Sequence, residues 1–134
     1  AIVMLDVLEH IPNPVDAITV ARNLLKNGGV LYINSPNHKS LLCWTIDVLG
    51  KLNLPTVKSL LRSYYHPAHV MVFNPKSLTN LVTTCGLNQQ LIGTNAPVLD
   101  RLELPYMLKV FVYTLTELSK LLRLESRVWT LAKL

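Results

Sequence analysis

Two short apolar runs, at residues 2–5 and 30–34, enclose a segment in which apolar residues recur at helical spacing. Short apolar runs of this kind are typical of buried parallel strands. The segment between them begins with Asn13-Pro14, a side-chain cap followed by proline at the first helical position, and Gly28-Gly29 lies just beyond its expected end near Lys26. Strand, helix and strand in this order predict a right-handed βαβ unit with a parallel sheet.

A turn and a helical insertion are predicted after the second strand. Ser35-Pro36-Asn37 consists of turn-forming residues, so we expect it to end the strand. Residues 38–66 then carry leucine, valine and tryptophan in a pattern that indicates a helix, with Gly50 and Pro55 as breakers. We interpret residues 38–66 as a helical insertion.

The second half of the chain repeats these signals. Asn74-Pro75 begins another helix, which Gly86 ends. Residues 87–94 and 127–133 are predicted as strands, the latter from alternation of apolar and polar residues. Between them, residues 104–123 predict an amphipathic helix. Its apolar residues, here called the leucine-rich stripe, are Leu104, Leu108, Phe111, Leu115, Leu118 and Leu122.

The composition is that of one folded domain. The chain has 134 residues, of which 50% are hydrophobic and 16% charged, and this excludes a disordered protein. Its net charge is +5, but the basic residues are scattered among few aromatics, so nucleic-acid binding is not expected. Cys43 and Cys85 belong to no CxxC motif and are expected to be reduced, inert thiols of a cytoplasmic protein.

The basic residues of the tail allow two interpretations. Lys109, Lys120, Arg123, Arg127 and Lys133 share this part of the chain with many leucines and valines. The mixture suits either a solvated helix face or an anionic membrane surface. Lys109 interrupts the longest apolar run, so no membrane-spanning helix is predicted.

Two ordered blocks of sequence resemble a known family. The first consists of residues 6–14, 26–31 and 35–37, and the second of residues 69–78 and 85–87. Together they are similar to class I S-adenosylmethionine (SAM)-dependent methyltransferases, and most similar to the branch that includes the ubiquinone-biosynthesis O-methyltransferases. The resemblance implies SAM as the cofactor.

The resemblance also implies the fold. The family has a Rossmann-like, doubly wound sheet of seven strands, and residues 2–6, 30–34, 87–94 and 127–133 match strands four to seven. The glycine-rich turn and the ribose-binding acidic residue of the first strands have no counterpart, since the five glycines form no GxGxG. We therefore expect residues 1–134 to be the C-terminal part of a methyltransferase domain that begins in mid-domain and is inactive alone.

A metal site is implied at the end of the first strand. In quinone-pathway relatives, an acidic residue, two spacers and Glu-His bind a divalent cation, and Asp6, Glu9 and His10 match that spacing. Oxygen ligands with one imidazole suit Mg²⁺ or Mn²⁺. Relatives without a metal use the same residues at the helix start and in packing. We expect all three side chains to face one cleft shared with Ser35 and Asn37, which otherwise form the turn.

The resemblance also points to residues for the cofactor and for proton transfer. Leu5 and Asp6 match positions that contact SAM, and Leu5 is otherwise a buried strand residue. His10 and His69 are the candidate catalytic bases, although His69, at the end of the insertion, is alternatively a hydrogen-bonded structural histidine.

The implied function is SAM-dependent methyl transfer to a small or lipid-like acceptor, with O-methylation favoured. The leucine-rich stripe would then cover the acceptor side of the cleft. Two other interpretations remain open. One is a non-catalytic remnant that retains half of the sheet, and the other is a peripheral membrane protein in which the stripe is exposed. The sequence identifies neither the acceptor nor the oligomeric state.

Overall fold

A computed structural model of the chain describes residues 1–51, 67–96 and 106–134. Part of the predicted insertion, residues 52–66, and the predicted first residues of the tail helix, 104–105, lie outside the described residues. The described strands are β1 (Ile2–Leu5), β2 (Val30–Pro36), β3 (Asn88–Asn95) and β4 (Arg127–Lys133), and the helices are α1 (Pro14–Leu24), α2 (Leu41–Gly50), α3 (Pro75–Thr84) and α4 (Tyr106–Leu122).

The four strands form one sheet in the order β1-β2-β4-β3. β1 and β2 are parallel, whereas β4 is antiparallel to both of its neighbours. All four predicted strands are confirmed, and β1, α1 and β2 form the predicted strand–helix–strand unit. The mixed α/β architecture is that of a Rossmann-like fold.

The prediction that a turn at residues 35–37 ends the second strand is wrong. β2 continues through Ser35 and Pro36, which pair with Val128 and Arg127 of β4. Asn37 then forms an isolated parallel bridge with Phe73. Pairing with β4, which lies far along the sequence, therefore overrides the local turn preference of these residues.

The asparagine caps confirm both predicted helix starts. The side chain of Asn13 accepts a hydrogen bond from the Asp16 backbone N–H. Asn74 and Ser77 form a reciprocal capping box at the start of α3. These caps fix where α1 and α3 begin, and both helices then pack their apolar faces on the sheet.

The hydrophobic core lies on one face of the sheet. α1 and α3 supply Ile18, Ala21, Leu78 and Val82, and β2 and β4 supply Leu31, Ile33, Val128 and Ala132. On the opposite face, paired residues remain accessible: Val3 is 60% exposed and its neighbour in β2, Tyr32, is partly exposed. In the described part of the chain, α1 and α3 thus cover only the face of the sheet that carries the hydrophobic core.

Gly93 of β3 lies against the indole of its cross-strand partner Trp129. A Cβ atom at Gly93 would lie 2.8 Å from two indole carbons, and Trp129 also stacks on Tyr32 with ring centroids 6.1 Å apart. We therefore expect Gly93→Ala to lower the free energy of unfolding by about 1–3 kcal/mol, as measured by urea denaturation. The loss should shrink when Trp129 is first replaced by Leu. An equal loss in both backgrounds would contradict this origin.

The predicted tail helix is confirmed, but its buried face is not the leucine-rich stripe. Phe111, Leu118 and Leu122 of the stripe are 40%, 45% and 51% exposed. The residues of α4 that are buried are Val112, Thr116 and Ser119. These members of the stripe are therefore not packed over a cleft of the described protein, as was expected, but are accessible to solvent.

Hydrogen bonds within α4 explain why a face with two hydroxyls is buried. Thr116 Oγ1 donates to the Val112 carbonyl at 2.8 Å, and Ser119 Oγ donates to the Thr116 carbonyl at 2.7 Å. Because both hydroxyls already donate hydrogen bonds within their own helix, most of the free-energy cost of burying them is removed. Small side chains then let α4 pack against α2. No helix in the described ranges is both long and apolar enough to cross a membrane.

Candidate functional site

The chain leaves β1 through a short turn that positions the candidate site. Asp6 adopts a positive φ of 52°, and a 3-10 helix, Leu8–His10, follows. Leu8 is fully buried in the core. Because Leu8 anchors the turn, Glu9 is drawn into the protein, whereas His10 stays at the surface.

Glu9 is a buried carboxylate, only 1% exposed, which connects three segments. Its Oε2 accepts a hydrogen bond from Ser35 Oγ at 2.9 Å. Its backbone carbonyl accepts hydrogen bonds from the N–H groups of Val70 and Met71 at 2.9 and 3.1 Å. Its Oε1 is buried without a hydrogen-bond partner among the described residues. A buried carboxylate oxygen in this state is costly unless a cation or a proton satisfies it.

His10 and His69 lie beside this carboxylate. His10 Nδ1 is 2.9 Å from the Ala68 carbonyl oxygen, and a carbonyl oxygen only accepts hydrogen bonds, so Nδ1 carries a proton. In the neutral ring, Nε2 is then the acceptor atom. The rings of His10 and His69 meet edge to face with centroids 4.8 Å apart. Glu9, His10 and His69 each offer one ligand atom within 4.8 Å of the others.

Asp6 forms a different contact. Its carboxylate pairs with the guanidinium of Arg127, and Arg127 Nε donates to Asn34 Oδ1 at 2.7 Å. The Asp6 N–H also donates to the Asn34 carbonyl at 3.0 Å. Asp6 therefore connects the ends of β1 and β2 to the start of β4, and it is not in the group formed by Glu9, His10 and His69.

Among the other predicted site residues, some also lie with Glu9 and others lie apart from it. Ser35 joins Glu9, but the side-chain amide of Asn37 donates to the Glu125 carbonyl at 2.8 Å, and its oxygen accepts from the Lys39 N–H at 3.1 Å. Leu5 is 57% exposed, so it is accessible and is not the buried strand residue of the alternative interpretation. Of the residues that were expected to share one cleft with Glu9, Ser35 thus contacts it, whereas Asp6 and Asn37 bind elsewhere.

A shallow cavity of about 520 Å³ opens beside the start of α2. Leu41, Trp44 and Leu124 are the apolar residues of its lining, and His38 and Asp47 add polar groups. Trp44 is 64% exposed there. Ligand sites of this kind combine an apolar wall with few polar groups.

Comparison with known protein families decides the identity of this fold. A family model described as a methyltransferase domain matches residues 1–90. The chain belongs to this methyltransferase family. The matched part of the methyltransferase domain contains β1, β2, α3 and all of Glu9, His10 and His69.

Two solved structures share the fold of this methyltransferase domain. A SAM-dependent methyltransferase from Archaeoglobus fulgidus is 17% identical with a TM-score of 0.57, and the match covers 98% of this chain and 57% of that protein. A SAM-dependent methyltransferase from Thermotoga maritima, described as a possible histamine N-methyltransferase, is 14% identical with a TM-score of 0.60, and the match covers 98% of this chain and 53% of that one. The chain therefore spans little more than half the length of each structure. No curated protein matches it.

Sequence reasoning missed two features of this methyltransferase domain. Arg127, which binds Asp6 and Asn34, appeared only as one of several tail cations. His69 was considered as a base, not as a potential ligand beside Glu9 and His10. Both residues lie far along the chain from their partners, and no local spacing marks them.

Proposed function

We propose that this domain belongs to an enzyme that transfers a methyl group from SAM to a small or lipid-like acceptor, with O-methylation favoured. The observation that carries the proposal is the group of Glu9, His10 and His69, within the segment that matches the methyltransferase family. It lies where the chain leaves the carboxyl end of β1. Doubly wound sheets bind their ligands at that edge.

The histidines suit an acceptor that must lose a proton. Methyl transfer to a hydroxyl is an in-line displacement at the methyl carbon, and it is faster when a base takes the hydroxyl proton. His10 presents Nε2 as an acceptor because Nδ1 is held by the Ala68 carbonyl. His10 is exposed and His69 is half-buried, so both are within reach of an acceptor. This favours hydroxyl acceptors over those that need no base.

As an alternative to proton transfer, the same group fits a divalent cation, because an imidazole nitrogen that ligates a metal has no lone pair left to accept a proton. The Oε1 of Glu9, which is buried and has no hydrogen-bond partner in the described part of the chain, is a ready anionic ligand, and the carbonyl bond to His10 Nδ1 is the outer contact typical of a metal-binding histidine. One carboxylate with two imidazoles suits Mn²⁺, Fe²⁺ or Zn²⁺ better than Mg²⁺, which prefers oxygen ligands. We therefore propose a transition metal in place of Mg²⁺. When bound, it would polarise the acceptor oxygen.

Leu5 and Asp6 remain our proposed cofactor contacts. Leu5 is exposed at the end of β1, and the Asp6 side chain is 53% exposed although it pairs with Arg127. Both are therefore accessible to a ligand that lies over this edge of the sheet.

Replacement of His69 by Ala in the full-length protein tests the enzymatic proposal. We expect transfer of radiolabelled methyl from SAM to a panel of phenols and catechols to fall by about 100-fold or more, because base catalysis supplies 10²–10⁴. His10→Ala should act similarly. Val70→Ala, an exposed change beside His69, is the matched control and should keep full activity.

Three outcomes would contradict all or part of this proposal. Unchanged transfer in both histidine variants would remove them from the chemistry. Failure of the full-length protein both to bind SAM and to methylate any acceptor would favour the non-catalytic interpretation. A preference for amines over phenols would overturn the O-methylation proposal while leaving methyl transfer intact.

A further inference from the structure

α4 exposes an apolar surface that neither the sheet nor α2 covers. Here this surface is called the outer face. It faces away from the buried side of the helix, and its residues recur at spacings of three, four and seven. Its members, with their exposed fractions, are Met107 (79%), Val110 (46%), Phe111 (40%), Leu118 (45%), Leu121 (79%) and Leu122 (51%). A run of this length on a surface helix marks an interaction site.

The one hydroxyl within the outer face is already satisfied. Thr114 Oγ1 donates to the Val110 carbonyl at 2.9 Å. A hydroxyl that is bonded within its own helix can enter an apolar medium at little cost. The outer face is therefore apolar in effect along the whole helix.

One border of the outer face combines tyrosines and lysines. Tyr106, Lys109, Tyr113 and Lys120 follow one another at spacings of three, four and seven, so they share one side of the helix. The tyrosines are 79% and 58% exposed. Glu117 is the acidic residue on this side, and its Oε1 forms an ion pair with Lys120 Nζ at 2.6 Å. Lys109 and, just after the helix, Arg123 add positive charge.

We propose that the outer face of α4 binds an anionic lipid surface, with the helix lying in the plane of the membrane. The apolar residues would enter the acyl boundary, and the tyrosines and lysines of the border would lie at the headgroups. The helix has 17 residues, a length of about 25 Å, and it does not span a bilayer. It therefore lies along the surface.

Charge complementarity selects the lipid over a second copy of the chain. The chain has a net charge of +5, and a symmetric dimer through α4 would bring two lysine borders together. Like charges at such an interface oppose association, whereas anionic headgroups attract each lysine. The inference goes beyond methyl transfer, since it rests on α4 alone and needs no catalytic activity.

Sedimentation of the full chain with vesicles of phosphatidylcholine, with and without phosphatidylglycerol, tests the proposal. We expect binding to be at least about tenfold stronger with the anionic lipid. Leu121→Glu should weaken it by about tenfold or more, because a large apolar side chain no longer enters the membrane. Lys109→Gln with Lys120→Gln should remove most of the anionic preference, so that the two kinds of vesicle bind within about threefold of each other. Leu24→Glu changes a leucine of α1 that is 72% exposed, and it is the matched control that should bind normally.

The competing occupants give different results. Equal binding to both kinds of vesicle, or binding to neither, would overturn the proposal. So would a wild-type protein that elutes as a dimer and becomes a monomer on Leu121→Glu, because that result assigns the outer face to a second copy. An effect of Leu24→Glu as large as that of Leu121→Glu would place the lipid contact elsewhere.

Discussion

Replacement of Glu9 by Gln should lower the affinity of the full-length protein for Mn²⁺ by about 100-fold or more, since changes even in the outer contacts of a metal site cost 10–100-fold. Glu9 is the single carboxylate of the group with His10 and His69. Its amide analogue has the same shape and can still accept the hydrogen bond from Ser35. The variant therefore removes the charge that attracts a cation while keeping the packing. Isothermal titration calorimetry measures the affinity.

The stability of Glu9→Gln relative to the wild type should depend on the metal. Without metal the variant should be at least as stable as the wild type, and with metal it should be less stable. In EDTA, Glu9→Gln should be at least as stable as the wild type, because it removes a buried charge, one oxygen of which has no hydrogen-bond partner within residues 1–51, 67–96 and 106–134. At a metal concentration about 100 times the dissociation constant, the wild type should gain about 2.7 kcal/mol that the variant does not. Thermal unfolding at both conditions measures the difference.

An identical change elsewhere provides the control. Glu117→Gln alters an exposed glutamate paired with Lys120 on α4, and it should leave Mn²⁺ affinity unchanged. If Glu9→Gln destabilises the metal-free protein and Mn²⁺ fails to stabilise the wild type, the role of Glu9 is limited to packing and to its hydrogen bond with Ser35. That result would return Glu9 and His10 to the structural interpretation.

The strands and helix starts could be predicted because their signals are local. Asn13-Pro14 and Asn74-Pro75 carry the cap and the preset backbone angle in adjacent residues. The apolar run of β1 and the alternation of β4 likewise lie within a few residues. The end of β2 was not predictable, because its pairing with β4 depends on residues far along the chain.

The buried face of α4 differs from the leucine-rich face that the sequence predicts, and the reason is physical. Hydrophobic periodicity identifies the apolar face of a helix, and that face is usually the one that packs. In α4 the side that contacts the protein includes Thr116 and Ser119, whose hydroxyls bond to carbonyls of their own helix. Side-chain polarity alone does not reveal that such a hydroxyl is satisfied.

The site was partly predictable for similar reasons. Glu9 and His10 follow a buried strand directly, so their location at its carboxyl end follows from the sequence. Asp6 was expected beside them, but it turns to Arg127, which is 121 residues away. His10 meets the carbonyl of Ala68, 58 residues along the chain. Contacts of this range depend on how the strands are ordered, which the local pattern does not encode.

Residues 1–134 alone should bind SAM with a dissociation constant of about 1 mM or weaker, equivalent to no more than about −4 kcal/mol. Backbone groups of a glycine-rich turn and an acidic residue at the ribose usually supply most contacts to such cofactors. Neither occurs in this sequence, whose five glycines are spread without a GxGxG motif. Of the cofactor contacts that we propose, only Leu5 and Asp6 belong to this sequence. Calorimetry on the 134-residue chain measures the affinity.

Spectroscopy at high SAM concentration distinguishes weak specific binding from none. In ¹H–¹⁵N spectra at several millimolar SAM, we expect shifts at Leu5, Asp6 and Glu9, since Leu5 and Asp6 are accessible at the end of β1. Asp6→Asn is the informative variant, because asparagine also tolerates the positive φ of 52° at this position. It should abolish the shifts without unfolding the domain. A micromolar dissociation constant, or shifts confined to the cavity beside Trp44, would show that the cofactor contacts lie elsewhere in the chain.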